Sequence, residues 1–245
     1  MCAIMGNVYE CPELLPLTEK RPLATLPFDC KYRLIDFNLS NAINANIKSV
    51  YMVFNQGTTK SVFDHIGGGR EWHLDSVDSR YFIHFYQDFL KKKAEGRPYF
   101  ESVIDYLNKS KSEYTVFMGN RMLCNIDLEA VLKIHQQSDS VMTVVYKKMS
   151  KDHIYRQDEI IEVDNHGIVQ GHHNFLEDTT GDEMLNLGMK IFVCRTDWMI
   201  DALNEGQKNG GPVAILDFLT MIMSKVKTSA YELSLIHISE PTRLR

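Results

Sequence analysis

Short apolar runs alternate along this chain with longer segments of helical period, and few folds accept that alternation. A buried strand followed by an amphipathic helix, repeated, builds a largely parallel sheet covered on its faces. The runs Cys2 to Met5, Ser49 to Phe54, Tyr114 to Met118, Val141 to Tyr146 and Leu187 to Val193 are rich in β-branched or large apolar residues and read as strands. Leu34 to Ala45 places Ile35, Leu39, Ala42 and Ile43 on one helical face, and Asp127 to Gln137 does the same with Leu128, Val131, Leu132 and His135. His135 stands at the edge of its apolar face, which suits a satisfied, half-buried imidazole. Thr58 to Ile66, Tyr99 to Leu107, Thr196 to Leu203 and Val213 to Val226 read as further helices. Glu159 to Val163 and Ile168 to Gln170 flank the turn residues Asp164-Asn165-His166-Gly167, which predicts a small hairpin. With no internal repeat and no low-complexity linker, residues 1–232 are expected to form one α/β domain.

Composition bounds the function. The 245 residues are 44% hydrophobic, enough to bury roughly 70% of the unfolded surface. The net charge is −5 and the densest basic run is Lys91-Lys92-Lys93, so there is no footprint for nucleic acid and the run reads as a solvated helix end. No apolar stretch approaches the ~18 residues of a membrane span, and the start MCAIMGNVYECPE lacks the basic and long apolar regions of a secretory signal. A cytoplasmic chain with neither nucleic acid nor membrane as partner is expected. Cys2, Cys11, Cys30, Cys124 and Cys194 are scattered and never in a C-x-x-C pair, so they read as reduced thiols and not as a disulfide framework or zinc site. Leu233 to Arg243 breaks the preceding pattern and resembles the in-frame translation of a transposase adapter from sequencing libraries. Residues 233–245 are therefore set apart from fold reasoning as a tail.

The strongest motif is Leu17 to Ser49, LTEKRPLATLPFDCKYRLIDFNLSNAINANIKS. An arginine-containing loop leads through a proline and a lysine-tyrosine-arginine strand into a helix reading I-D-F-x-L-S-N. This closely resembles the signature of the glucose-1-phosphate adenylyltransferase family. Gly69-Arg70-Glu71-Trp72, Phe117 to His135 and Asn186-Leu187-Gly188-Met189 add weaker support. The resemblance implies a nucleotide-diphospho-sugar transferase fold, a Rossmann-like, mixed but mostly parallel sheet with helices on both faces. It also implies a left-handed β-helix domain after this one, which the sequence does not include. Family members transfer AMP from ATP to glucose 1-phosphate, releasing pyrophosphate and making ADP-glucose.

Such a transfer needs cations and backbone amides around two polyanions. The family supplies a glycine-rich loop after the first strand, followed by an arginine. Here that loop reads Asn7-Val8-Tyr9-Glu10-Cys11-Pro12-Glu13-Leu14, with no glycine after Gly6, and Glu13 falls where the arginine belongs. A carboxylate there repels a triphosphate, and Cβ atoms block close backbone approach. The family's Gly-Asp-His motif, whose aspartate helps hold Mg²⁺, corresponds to Gly119-Asn120-Arg121, which keeps the shape and loses the charge. Asp127 is one position out of register with the next family aspartate and reads as a helix cap. The sugar-phosphate lysine has no counterpart in Gly171-His172-His173-Asn174-Phe175-Leu176-Glu177-Asp178. His172 and His173 point to opposite faces of a strand and read as surface residues. The family's last aspartate segment corresponds to Leu216-Asp217-Phe218-Leu219-Thr220-Met221, where Asp217 is a carboxylate or a helix-end residue.

What remains is a cationic group, Lys20, Arg21, Lys31 and Arg33. The resemblance associates these positions with anionic sugar-phosphate effectors, although Leu23 stands where the family has another lysine; a solvated loop edge is the plainer reading. Gln56, matching a family glutamine near the adenine, and Gly119 mark a residual nucleotide pocket. Gly67-Gly68-Gly69 reads as a plain turn, and Trp72, Tyr81, Phe82, Phe85 and Tyr86 as core or subunit contact. The chain is therefore expected to be a regulatory, catalytically deficient subunit that assembles with a catalytic relative in glycogen synthesis, binding no metal or cofactor of its own. The alternatives are a working adenylyltransferase using Mg²⁺ and ATP through Asp127 and Asp217, or a nucleotidyltransferase-like interaction module.

Overall fold

Strand β1 (Cys2–Asn7) has no polar face to offer water: Cys2, Ala3, Ile4 and Met5 are each fully buried. Such a strand belongs at the centre of a sheet covered on both sides. The computed structural model, which describes residues 1–57, 59–76, 79–178 and 181–233, puts it there. A short hairpin of β2 (Pro27–Phe28) and β3 (Tyr32–Arg33) leads into α1 (Leu34–Asn44), followed by β4 (Ser49–Phe54), α2 (Lys60–Ile66), β5 (Arg80–Phe85), α3 (Tyr86–Ala94) and α4 (Glu101–Ser110). Then come β6 (Tyr114–Gly119), α5 (Leu128–Gln137), β7 (Met142–Ser150), β8 (Glu159–Val163), β9 (Val169–Asn174), β10 (Met184–Arg195), α6 (Thr196–Lys208), α7 (Ile215–Met223) and β11 (Thr228–Glu232).

The main sheet runs β11-β7-β10-β6-β1-β4-β5, with β8 and β9 attached beside β10. β1 is parallel to both β4 and β6, whereas β10 is antiparallel to β6 and β7. The result is the mixed, mostly parallel sheet expected. The strand period of two sends alternate residues to opposite faces. Cys2 and Ile4 join Phe89, Val103, Leu107, Met199, Leu203 and Phe218 from α3, α4, α6 and α7. Ala3 and Met5 join Ile35, Leu39, Val62 and Val131 from α1, α2 and α5. Helices thus cover both faces, each sealed by its own apolar core.

Three elements go beyond the sequence expectations. β5 was expected only as aromatic packing, because Arg80 and His84 interrupt its apolar pattern; it is an edge strand paired on β4. α3 follows it directly, and β11 adds a parallel strand to β7. The run Lys91-Lys92-Lys93 is more than a solvated helix end: Lys93 donates to the carbonyls of Gly210 and Gly211 at 2.9 and 2.7 Å, and Lys92 pairs with Glu101 at 3.0 Å. The predicted helix from Thr58 begins at Lys60, and Thr58 lies outside the described residues. The predicted hairpin is present as β8 and β9. His135 is buried, its Nδ1 2.8 Å from Thr143 Oγ1, which reaches Ser229 Oγ at 2.7 Å. Leu233, the first residue of the adapter-like segment, is buried and donates its N–H to Tyr146 O at 2.7 Å; residues 234–245 lie outside the described residues. Among the described residues no helix is long and apolar enough to cross a membrane.

Candidate functional site

The sheet changes direction at β1. The chain builds outward from β1 through β4 to β5, then returns to lay β6 on the other side of β1. At such a reversal the connections leaving two adjacent parallel strands diverge, and the crevice between their carboxyl ends is where open α/β sheets take ligands. Val8, Tyr9 and Glu10 leave β1 at this point, and Asn120 and Arg121 leave β6.

Tyr9 crosses the crevice. Its hydroxyl donates to Asp217 Oδ1 on α7 at 2.5 Å, and the Arg121 guanidinium lies 5.7 Å from the centroid of its ring. Burial, reinforced by the hydrogen bond and negative charge of Asp217, pushes the Tyr9 phenol well above the usual range, so it is a fixed donor. Arg121 Nη2 in turn sits 3.6 Å from Asp158 Oδ1. Tyr9 also lines, with Gly6, Val8, Phe117, Ile215 and Leu216, a small cavity of about 10 Å³, room for about one water. Gly6 is glycine for packing: a Cβ there would stand 2.6 Å from Phe117 Cζ.

A second cluster lies beside it. β10 bulges between Gly188 and Phe192, and there Lys190 takes φ = +57°, a left-handed conformation uncommon for a residue with a side chain. Its buried ammonium pairs with Glu159 of β8, whose other carboxylate oxygen is 3.1 Å from His172 Nδ1. Burial alone would raise the Glu159 carboxyl, but the hydrogen bond from His172 and the Lys190 charge hold it below its ordinary value. Lys190 also explains Gly119: a Cβ on Gly119 would stand 2.9 Å from Lys190 Cβ. Asn120 is buried with neither side-chain Oδ1 nor Nδ2 hydrogen-bonded to a described residue.

The other residues singled out in the sequence are dispersed. Glu13 lies exposed in a single turn, Pro12–Leu14, accepting from Cys11 Sγ at 3.3 Å, and the hydrogen bond from its own backbone, then that from Cys11, holds its carboxyl below the ordinary range. Asp127 caps α5 by accepting from Ala130 N at 3.0 Å, as its helix-cap reading expected. Gln56 is exposed after β4, its N–H donating to Gln87 Oε1 at 2.7 Å. Lys20 and Lys31 are exposed and Arg21 and Arg33 half-buried; Lys20 and Arg21 precede a buried turn at Leu23–Thr25, and Lys31 and Arg33 lie within the β2–β3 hairpin. None of the four forms an ion pair among the described residues. His172 and His173 are not plain surface residues: His173 Nδ1 is 3.0 Å from Glu162 Oε1, and both rings are largely covered because carboxylates of β8 flank them.

Sequence reasoning missed Asp158, Glu159 and Lys190, and treated Tyr9 and Arg121 only as replacements. Nothing in the local pattern marks Lys190, since its left-handed backbone arises from the β10 bulge. These residues do not suit Mg²⁺, which demands carboxylate oxygens free to coordinate. Asp217 accepts from Tyr9, Asp158 faces Arg121, Glu159 is neutralised by Lys190, and Asn120 carries no charge. Among the described residues no three His, Cys, Asp or Glu side chains converge to hold a metal ion.

A family model for nucleotidyl transferases matches residues 12–171. The glycogen biosynthesis protein GlgD of Bacillus subtilis (strain 168) is 34% identical over 162 residues, covering 63% of this chain and 46% of that protein. The glucose-1-phosphate adenylyltransferase of Aliivibrio fischeri (strain MJ11) is 28% identical over 182 residues, covering 70% of this chain and 43% of the relative. The chain therefore spans less than half the length of these curated relatives. A crystal structure of a putative glucose-1-phosphate thymidylyltransferase from Bacillus anthracis, in complex with a sucrose, superposes with a TM-score of 0.70 at 12% identity, covering 95% of this chain and 87% of that one. That likeness speaks to the fold.

Proposed function

The chain belongs to the nucleotidyl transferase family, and from that premise we propose that it is a regulatory, catalytically deficient subunit of glucose-1-phosphate adenylyltransferase in glycogen biosynthesis. Its similarity to a glycogen biosynthesis protein and to adenylyltransferases supports that reading. The observation that carries the regulatory reading is the state of the crevice at β1 and β6. Its carboxylates are committed to Tyr9, Arg121 and Lys190, and Asn120 stands uncharged at the end of β6. A phosphoryl-transfer site works by aiming free charge at the reacting phosphate. Here charge is consumed internally, and removing one such electrostatic contact from a working enzyme costs roughly 10²–10³ in rate.

Under this reading the protein acts through assembly with a catalytic relative, and Lys20, Arg21, Lys31 and Arg33 are the basic positions offered to an anionic sugar-phosphate effector. The test is ADP-glucose formation from ATP, Mg²⁺ and glucose 1-phosphate, by the protein alone and mixed with a catalytic relative. No turnover alone, with a changed rate or effector response in the mixture, supports the reading. Turnover alone at rates usual for the family overturns it and returns Asp127 and Asp217 to consideration as metal ligands.

A further inference from the structure

We infer that Tyr9 is an internal occupant of the nucleotide crevice, and that the chain closes its own ligand site through a Tyr9–Asp217 latch roofed by Arg121. Two independent features meet at this point. The first is topological: the crevice lies where β1 and β6 diverge, the place this class of sheet uses for ligands. The second is chemical. A planar aromatic ring against a guanidinium is an arrangement that a nucleotide base can also offer, and Tyr9 makes it with Arg121 from within the chain. Its hydroxyl, at 2.5 Å from Asp217, ties the loop after β1 to the first turn of α7.

A nucleoside triphosphate entering this crevice must therefore displace the ring, break the bond to Asp217 and win Arg121 from both Tyr9 and Asp158. The loss of a glycine-rich loop and the loss of metal carboxylates weaken catalysis; the latch acts earlier, on binding. This inference does not depend on the regulatory reading, because a latched crevice would lower affinity in an active enzyme as well.

ATP binding to the full chain, measured by isothermal titration with and without Mg²⁺, tests it. Tyr9→Gly is expected to bind ATP roughly tenfold or more tightly than the unaltered protein, with Tyr9→Phe, which keeps the ring and loses the hydroxyl, falling between them. Equal affinity in the unaltered protein and Tyr9→Gly overturns the inference, as does no binding by a Tyr9→Gly variant whose circular dichroism and thermal transition match the original. Should Tyr9→Gly fail to fold, Tyr9→Phe and Asp217→Asn decide: tighter ATP binding in either supports the latch, and affinity unchanged in both overturns it.

Discussion

At Lys190 an uncommon backbone conformation and a buried charge coincide. A left-handed φ on such a residue costs of order 1 kcal/mol or more, and the ammonium is out of water, so the position survives through its pair with Glu159. Removing one partner of a buried pair leaves the other uncompensated. Lys190→Ala is expected to destabilise the fold by about 3–5 kcal/mol in urea denaturation, and Lys190→Ala with Glu159→Gln to recover a large part of it. The acid side follows from Glu159: its folded carboxyl titrates below the ordinary value of 4.5, so the pair stabilises the protein above that pH and the contribution is lost as pH falls through it. His135 acts in the same direction at higher pH. Burial, with Arg195 nearby, holds the folded imidazole below its ordinary 6.5, so the unfolded chain takes up the proton first. Stability is expected to fall as pH drops below about 6.5, and His135→Gln to flatten that part of the pH profile of thermal unfolding.

Among the elements, α5 shows how a residue of the family's chemistry becomes architecture. Asp127 accepts the N–H of Ala130, one of the donors a helix start leaves unpaired. Asp127→Ala is expected to lower stability by about 1 kcal/mol, and Asp127→Asn, which keeps an oxygen to accept, by less. Any role on Mg²⁺ would separate the two differently, since Asn would then lose ADP-glucose formation as fully as Ala. β1 makes a similar point. Gly6→Ala would press a Cβ into Phe117 and is expected to cost about 1–3 kcal/mol as overpacking, relieved by a compensating Phe117→Leu in thermal unfolding.

For the whole molecule, two groups of residues are drawn from different elements. The crevice is lined by residues on or next to β1, β6, β8, β10 and α7, while Lys20 and Lys31 stand exposed before and within the β2–β3 hairpin. If the basic group serves an anionic sugar bisphosphate, Lys20→Ala with Lys31→Ala is expected to weaken the effector response of the mixed assembly roughly tenfold without changing its ADP-glucose formation in the absence of effector. An unaltered effector titration would leave the group as a solvated edge.

The alternation of buried strands and amphipathic helices was legible in residue spacing, because burial on both sides of a strand and along one stripe of a helix each impose their own period. The Leu17 to Ser49 motif carried the family, and Asn120, Glu13 and Asp127 were legible as departures because a motif fixes which residue type should stand where. The remaining features arise from contacts between distant elements. β5 became an edge strand because β4 offered it a ladder, although its own pattern is broken by Arg80 and His84. Tyr9 met Asp217 from 208 residues away, and Lys190 met Glu159 across a bulge. Spacing along a chain encodes contacts within one element; a hydrogen bond or ion pair between distant elements depends on where the sheet turns back on itself, and that geometry exists only once the chain has folded.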